Sequence, residues 1–559
     1  MDGPDGPVRL RGSDTNGSRR KHGVAGMTAA GMSKRRRILL AVAAALALVS
    51  IAFALVRLGQ AEAGVVTERS WLGPTPVTVY RPGAELRAAS AEAWGIDPAD
   101  GLPVVLISHG FAGSQQLMEA YVYALARNGY LAVSFDYYGH GRNLIPLAGD
   151  VMDVAGATQN LLDQTGEVAD YARSRPEAGD GFAILGHSMA SDVVVRHADR
   201  DPDTEATVAI SLFSPAVTAD SPENFLVIVG DLEGRLKGEA LLVVGFVADD
   251  PEPGVTYGEF DDGSARRAVF APGVEHVGVL YSPTSLRETV AWLDRAFGRA
   301  PRPYDDANDG RGIAIVLLFA GLLLLAWPLA RWLPRVVEPA RGLNPRWREL
   351  LPAAFVPAFA TPLLLFAFPA DFLGVLVGGY LAVHFGLYGL ITAGFCVWLR
   401  RRRATPVVAT GSRKVGAAVV AAIAATLYAA GVFGLAMDRF VTSFAVTPPR
   451  VPLLALMLGG TLLYFLADEW LTRGPDVPRG AHLLTRFCFL LSLGLAVALS
   501  FEDLFFLLII AVVIVPYFLI YGLIGGWVYR NTGDPLVSAL PSAVAFGWTL
   551  AVVFPQMSG

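Results

Sequence analysis

Long stretches without charged residues are the feature that most restricts how this chain can fold. The chain has 559 residues, of which 53% are hydrophobic, and its mean hydropathy of +0.45 is too high for an ordinary soluble protein. A helix that crosses a hydrocarbon core of about 30 Å needs about 20 mostly apolar residues. Candidate runs lie at residues 38–56, 313–330, 352–370, 372–399, 415–437, 451–467, 487–501, 504–528 and 536–555. The sequence therefore predicts a transmembrane anchor at 38–56 and an all-α multi-span bundle of about eight helices over 313–555.

Basic residues beside these runs predict their orientation. The segment 34–37 (Lys-Arg-Arg-Arg) precedes the first run, and the loops 331–348 and 400–403 are rich in arginine. Because positively charged loops are retained in the cytoplasm, we expect a multi-pass protein of the cell membrane with a cytoplasmic N-terminus and residues 64–305 on the extracytoplasmic side. The Ala-Glu-Ala sequence at 61–63 also fits a signal-peptide cleavage site, but the apolar run before it is longer than that of a usual signal peptide.

The remaining composition argues against several classes of protein. Residues 1–33 lack any apolar period, which predicts a disordered cytoplasmic tail. A net charge of −5 gives no reason to expect a nucleic-acid partner. The two cysteines, Cys396 and Cys488, both lie inside apolar runs, so we expect neither a structural disulfide nor a cysteine-based metal site. The sequence shows no phosphate-binding loop, and we expect no cofactor and no metal.

Residues 64–305 have the mixed, charged composition of a soluble domain. Short apolar runs that read as strands alternate with segments of helical period. Strands are predicted at residues 103–110, 130–136, 181–188, 206–213, 224–230 and 266–276, and helices at 118–129, 157–174 and 284–298. This alternation predicts an α/β fold, a mostly parallel sheet with helices on both faces, whose active site lies at the carboxyl ends of the strands.

The stretch "FAILGHSMAS" places Ser188 between a predicted strand and a predicted helix. A nucleophile elbow of the form Gly-x-Ser-x-Gly requires this setting, because the serine lies on a strained turn. Gly186 matches the pattern, whereas Ala190 stands where the second glycine is usual. Taken alone, the motif is weak.

Further residues follow in the order that a Ser–acid–His triad requires on this fold. Glu233, with Asp231 as the alternative, comes just after the predicted strand 224–230, and His276 comes after the last strand. An oxyanion hole also needs backbone N–H groups near the nucleophile. The N–H groups of Phe111, after the first strand, and of Met189, after the serine, are the candidates.

The segment 72–298 resembles the α/β-hydrolase superfamily, in particular its dienelactone-hydrolase-like and lid-free esterase members. The resemblance rests on His109-Gly110-Phe111, "FDYYGHGRN" at 135–143, "GHSMA" at 186–190 and "GVEH" at 273–276. It implies that Ser188 is the nucleophile, that His276 is the general base and acid, and that Glu233 or Asp231 orients His276. Only about ten residues separate the predicted strands 206–213 and 224–230, so we expect an open site without a cap.

These observations together predict a membrane-anchored serine hydrolase. The favoured activity is hydrolysis of a carboxylic ester, either a small molecule or a membrane lipid, through an acyl-enzyme. Two alternatives stay open: a non-enzymatic membrane protein whose hydrolase-like domain senses or binds a ligand, and a membrane-bound serine peptidase. We expect the bundle to be a structural or substrate-presenting platform, and a 64–305 fragment to keep activity on a small ester. Protein partners are left open by the sequence.

Overall fold

The computed structural model describes residues 33–94, 101–150, 153–300, 303–367, 377–403 and 412–558. The predicted disordered tail, residues 1–33, lies outside the described residues except for its last residue. The ends of two predicted spans, 352–370 and 372–399, also fall outside the described residues where they face each other.

The soluble domain is built on one nine-stranded sheet with the order β1-β2-β4-β3-β5-β6-β7-β9-β8. Strands β4, β3, β5, β6, β7 and β9 run parallel, while β1, β2 and β8 pair antiparallel at the edges. The mostly parallel sheet predicted from the sequence is therefore confirmed. The strands are β1 Val65–Leu72, β2 Thr75–Pro82, β3 Leu102–Ser108, β4 Leu131–Phe135, β5 Ala178–His187, β6 Ala206–Ile210, β7 Phe225–Gly230, β8 Thr256–Tyr257 and β9 Arg266–Ala271.

Helices cover both faces of the sheet, as a parallel sheet requires. Because side chains alternate along a strand, Val104 and Leu106 enter one core and Val105 and Ile107 enter the other. The first core includes residues of α4 and α5, and the second includes residues of α3 and α7. The helices are α2 Ala84–Trp94, α3 Glu119–Arg127, α4 Gln159–Arg173, α5 Met189–Arg200, α6 Gly234–Val244 and α7 Pro283–Ala296.

Within the described residues, nine helical segments are long and apolar enough to cross a membrane. They correspond one to one with the nine predicted runs. The helices of these spans are α1 Lys34–Glu62, α8 Arg311–Leu329, α9 Trp347–Ala367, α10 Gly378–Arg402, α11 Val415–Thr426, α12 Phe433–Phe440, α13 Val451–Thr472, α14 Ala481–Leu499, α16 Leu507–Thr532 and α17 Pro535–Val553. A short helix, α15 Phe501–Leu504, lies between α14 and α16 and is not a span. Helices α11 and α12 form one span through a π-helical segment, Leu427–Val432.

Two spans extend further than the apolar pattern predicted, because they contain buried charged residues. The run predicted at 487–501 belongs to a helix that begins at Ala481 and includes Arg486. The guanidinium of Arg486 lies 3.1 Å from Asp468 Oδ2 in the neighbouring helix α13. Both side chains are almost fully buried, so the opposite charges allow the helices to continue through positions that looked like span ends.

Candidate functional site

Ser188 lies on a sharp turn between β5 and α5. Its φ of 55° and ψ of −117° are strained for a residue with a side chain. A Cβ on Gly186 would lie 2.5 Å from the carbonyl oxygen of Ala190, so position 186 requires glycine. The methyl group of Ala190 is buried in the core, where the structure accommodates it in place of the usual glycine. The structure therefore has the strand–turn–helix setting that the sequence predicted for Ser188.

His276 lies in the loop after β9 and connects Ser188 to Glu233. Its Nε2 atom is 2.9 Å from Ser188 Oγ, and its Nδ1 atom is 2.6 Å from Glu233 Oε1. An ionised carboxylate can only accept hydrogen bonds, so Nδ1 carries the ring proton and Nε2 can accept the proton of the serine hydroxyl. The three side chains thus form one hydrogen-bonded chain with the polarity of a Ser–His–acid triad.

Glu233 is held in place by two further donors. Its Oε2 atom accepts hydrogen bonds from the N–H of Gly230 at 2.6 Å and from the hydroxyl of Ser211 at 2.8 Å. Burial opposes ionisation of the carboxyl, but the hydrogen bonds from His276, Gly230 and Ser211 outweigh it and lower the pKa of Glu233 from its ordinary value. Ser211 was not identified from the sequence, because a serine that ends a strand carries no recognisable signal.

The alternative acid, Asp231, lies elsewhere. Its side chain is 50% exposed, and it pairs with Lys237 Nζ at 3.0 Å. The side chain of Glu233 is only 6% exposed and contacts His276. The structure therefore brings together Ser188, His276 and Glu233, and it leaves Asp231 at the surface.

The loop after β3 carries Phe111, one of the two predicted oxyanion donors. His109 Nε2 accepts the N–H of Tyr137 at 3.1 Å, so His109 Nδ1 donates to the carbonyl of Gly110 at 2.8 Å. Burial lowers the pKa of His109, which favours this neutral form. Gly113 N–H donates to the same carbonyl. The Gly110 carbonyl and the Phe111 N–H belong to one trans peptide group and point in opposite directions. The Phe111 N–H therefore points away from His109 Nδ1 and from the N–H of Gly113.

This loop directly touches the nucleophile. A Cβ on Gly110 would lie 3.0 Å from Ser188 Cβ, so glycine permits the close approach. Met189 is the first residue of α5, and its N–H has no partner within the helix. Phe111 and Met189, the two predicted oxyanion donors, thus lie next to the residues that contact each other here, Gly110 and Ser188.

Two more histidines, His187 and His140, lie near the site and hydrogen-bond to backbone carbonyls. His187 Nε2 hydrogen-bonds to the backbone carbonyl of His276 at 2.9 Å, so it must be protonated at Nε2. Burial lowers the pKa of His187 to about 3, and burial likewise lowers the pKa of His140 to about 3. His140 Nδ1 lies 2.9 Å from the carbonyl of Tyr138. Both rings are neutral near pH 7 and act as structural hydrogen-bonding groups.

The membrane bundle borders one side of the site. The ring of Phe111 contacts the ring of Phe506, with centroids 4.6 Å apart, near the start of α16. Ser114 Oγ accepts the N–H of Ser443 at 2.9 Å and lies 3.1 Å from Thr442 Oγ1. The connection between β6 and β7 is short, as predicted, and the His276 side chain remains 45% exposed. The site is therefore open to solvent on one side and contacts the bundle on the other.

In the described part of the chain, one group of three side chains could hold a metal ion: Asp468, Glu469 and His482. Arg486 lies within 3.1 Å of Asp468, and Arg473 lies 3.0 Å from Glu469. These two guanidinium groups already balance the two carboxylate charges.

The sheet, the strained serine and the two partner residues at the carboxyl ends of its strands define an α/β-hydrolase domain. Here that domain is joined to a bundle of membrane-spanning helices, and the protein is a hydrolase. Residues 101–252 match the family described as "Serine aminopeptidase, S33". The matched segment includes Ser188 and Glu233 and ends before His276. No curated protein matches this chain.

Several solved structures are similar to part of this chain. A hypothetical protein from Pseudomonas aeruginosa is 11% identical, with 42% of this chain and 94% of that chain covered and a TM-score of 0.31. A bacterial membrane phospholipase A is 14% identical, with 47% and 97% covered and a TM-score of 0.30. A protein described as a dienelactone hydrolase from Klebsiella pneumoniae is 17% identical, with 41% and 99% covered and a TM-score of 0.30.

Proposed function

We propose that this protein is a membrane-bound serine hydrolase that cleaves a carboxylic ester. The observation that carries the proposal is the hydrogen-bonded chain from Ser188 Oγ through His276 to Glu233, with distances of 2.9 and 2.6 Å. Ser188 Oγ attacks the carbonyl carbon while His276 Nε2 takes its proton. The N–H groups of Phe111 and Met189 stabilise the oxyanion of the tetrahedral intermediate.

His276 then gives its proton to the leaving alcohol, and the first half of the reaction ends with Ser188 acylated. In the second half, water attacks the acyl carbon while His276 takes its proton. His276 returns this proton to Ser188 Oγ as the ester bond to the serine breaks and the carboxylic acid is released. Glu233 keeps the proton of His276 on Nδ1 and stabilises the imidazolium that forms in each step.

Labelling with a fluorophosphonate probe tests the nucleophile. The full-length protein should be labelled, and Ser188→Ala should lose both labelling and ester turnover. Ser214→Ala is a matched control, because Ser214 is also half-buried but its hydroxyl donates to Asp192 Oδ1 at 2.6 Å. Equal labelling of Ser188→Ala and wild type would refute the assignment.

A peptidase is the second candidate, because the matched family is described as a serine aminopeptidase. An aminopeptidase must hold the α-ammonium of its substrate near the nucleophile, usually with a carboxylate. Glu275, beside His276, already accepts hydrogen bonds from the N–H groups of Val277 and Gly278 at 2.8 and 2.9 Å. Comparing kcat/KM for p-nitrophenyl esters and for aminoacyl p-nitroanilides separates the two activities, and we expect the esters to be preferred.

We also propose that the hydrolase domain faces away from the cytoplasm. Support comes from the basic segment 34–37 at the start of α1 and from the arginines at the end of α10, since both predict cytoplasmic ends. The opposite end of α1 leads directly into β1 of the hydrolase domain.

A further inference from the structure

An apolar cavity of about 60 Å³ lies where the bundle meets the loop after β3. Its walls come from α16, from the end of α17 and from the loop after β3. The lining residues are Ala112, Val513, Ile514, Tyr517, Phe546, Thr549, Leu550, Val553 and Phe554. A cavity with such walls offers water too few hydrogen-bonding partners, and it favours a hydrocarbon occupant.

One wall of this cavity belongs to the loop that carries the candidate oxyanion donor. Ala112 directly follows Phe111 and has a φ of 56°. Gly110, two residues before Ala112, touches Ser188. Because consecutive Cα atoms are about 3.8 Å apart, the Cα atoms of Gly110 and Ala112 are separated by at most about 7.6 Å. The cavity therefore borders the same short stretch of chain that touches Ser188.

The cavity also extends along the membrane-spanning part of α16. Its lining residues on this helix run from Val513 to Tyr517, about 6 Å along the axis at 1.5 Å per residue. Val513 lies at one end of this stretch, and its side chain is 46% exposed. A chain in the surrounding lipid can therefore reach the cavity past Val513 without passing through water.

We propose that this cavity binds the hydrocarbon chain of an ester that resides in the membrane and thereby delivers the ester carbonyl to Ser188. The inference rests on the proposed function and names its substrate class, a long-chain ester. Seating the chain between α16 and α17 leaves the carbonyl at the loop 110–112, where the Phe111 N–H can bind the oxyanion. The site is open to solvent on its other side, so the water that completes hydrolysis has access.

Burial of the chain predicts a dependence on its length. Each buried methylene contributes about 0.8 kcal/mol, so kcat/KM should rise roughly fourfold per methylene until the cavity is filled. Two ester series show which chain occupies it: p-nitrophenyl esters with acyl chains of increasing length, and butyrate esters with alcohol chains of increasing length. The full-length protein in nanodiscs should show this rise in one series.

Two substitutions on α16 provide the matched test. Val513→Trp would obstruct the mouth of the cavity, whereas Val515→Trp adds the same ring to a side chain that is 42% exposed and does not line the cavity. Val513→Trp should lower the ratio of long-chain to butyrate kcat/KM at least tenfold, and Val515→Trp should leave it unchanged. Both positions are exposed, so neither substitution disturbs a buried contact.

A measurement on the unaltered protein covers the case in which Val513→Trp does not fold. A dodecyl fluorophosphonate should label wild type faster than an ethyl fluorophosphonate does. Equal labelling rates, or equal long-chain ratios in wild type and both tryptophan variants, would overturn the cavity assignment while leaving the esterase assignment standing. Absence of Ser188-dependent turnover of the butyrate ester would instead overturn the proposed function, and the inference with it.

Discussion

Glu233→Gln keeps the size of the side chain and removes the proton arrangement that His276 needs. If the new amide oxygen faces His276 Nδ1, the amide nitrogen faces the N–H of Gly230, which is also a donor. If the amide nitrogen faces Nδ1 instead, His276 must carry its proton on Nε2. That tautomer directs a proton at Ser188 Oγ, 2.9 Å away, and cannot accept the serine proton.

The first arrangement is disfavoured because it sets two donors against each other. The second should reduce kcat by about 10⁴, because the acid-to-amide change that produces the wrong histidine tautomer in a Ser–His–Asp protease has an effect of that size. This loss corresponds to roughly 5.5 kcal/mol of transition-state stabilisation. Asp231→Asn is the control, since Asp231 is half exposed and pairs only with Lys237. We expect that variant to change kcat less than about twofold, as is usual for an exposed ion pair.

The assay is p-nitrophenyl butyrate hydrolysis by the full-length protein in nanodiscs at pH 8, with a thermal unfolding curve for each variant. We expect Glu233→Gln to remain folded and to be nearly inactive. A folded Glu233→Gln variant that keeps more than a tenth of wild-type kcat would refute the role of Glu233 in orienting His276. Equal losses in Glu233→Gln and Asp231→Asn would show that Glu233 alone does not orient His276.

Three further results follow from the structure. His187→Phe removes the hydrogen bond to the His276 carbonyl and should lower kcat/KM about fivefold, since such a bond contributes about 1 kcal/mol; His187→Gln, which keeps a donor, should recover part of this loss. Because the pKa of Glu233 is lowered in the folded state, its ionised form stabilises the fold above the ordinary carboxyl value of about 4.3, and this stabilisation disappears as the pH falls through the lower folded value. The difference in thermal midpoint between wild type and Glu233→Gln should therefore shrink only as the pH falls below the ordinary carboxyl value. A protease added to intact cells should cut within residues 64–305, and protection until lysis would reverse the proposed orientation.

The parallel core of the sheet could be predicted because its strands are buried on both faces and read as continuous apolar runs. The stretches "PVVLISHG" and "FAILGHS" correspond to β3 and β5. The antiparallel strands β1 and β2 were not predicted, because Val65–Leu72 mixes charged and apolar residues at the edge of the sheet. Edge strands gain their stability from pairing, which a single sequence does not display.

The residues of the candidate site could be predicted where they follow strands in the order that a triad requires. Contacts between residues far apart in the chain could not be predicted. Ser188, His276 and Glu233 each follow a strand of the sheet, so their convergence follows from the topology. The sequence could not decide whether Glu233 or Asp231 contacts His276. That choice depends on the folded turn, in which the N–H of Gly230 binds and positions the carboxylate of Glu233. The contact between Ser114 and Ser443 joins residues 329 positions apart, and neither residue belongs to a motif.

Buried arginine at the junction shows why the hydrolase domain and the bundle form one folded unit. Arg450, at the start of α13, is fully buried. Its guanidinium donates to the carbonyl of Gly139 in the hydrolase domain at 2.7 Å and to the carbonyls of Ala551 and Phe554 at the end of α17. Burying a charge is costly unless its donors are paired, and here acceptors from both halves pair with Nη1 and Nη2 of Arg450.

This arrangement changes the expectation for an isolated fragment of residues 64–305. Removing the bundle takes away the partner of Ser114 and the ring that packs against Phe111, so the loop that carries one oxyanion donor loses its support. Loss of one such donor costs about 10²–10³ in kcat. We therefore expect the folded fragment, checked by circular dichroism, to hydrolyse p-nitrophenyl butyrate at least about 100-fold more slowly than the full-length protein. A folded fragment with full activity would show that the hydrolase domain holds this loop without the bundle, because a small ester has no long chain for the cavity to bind.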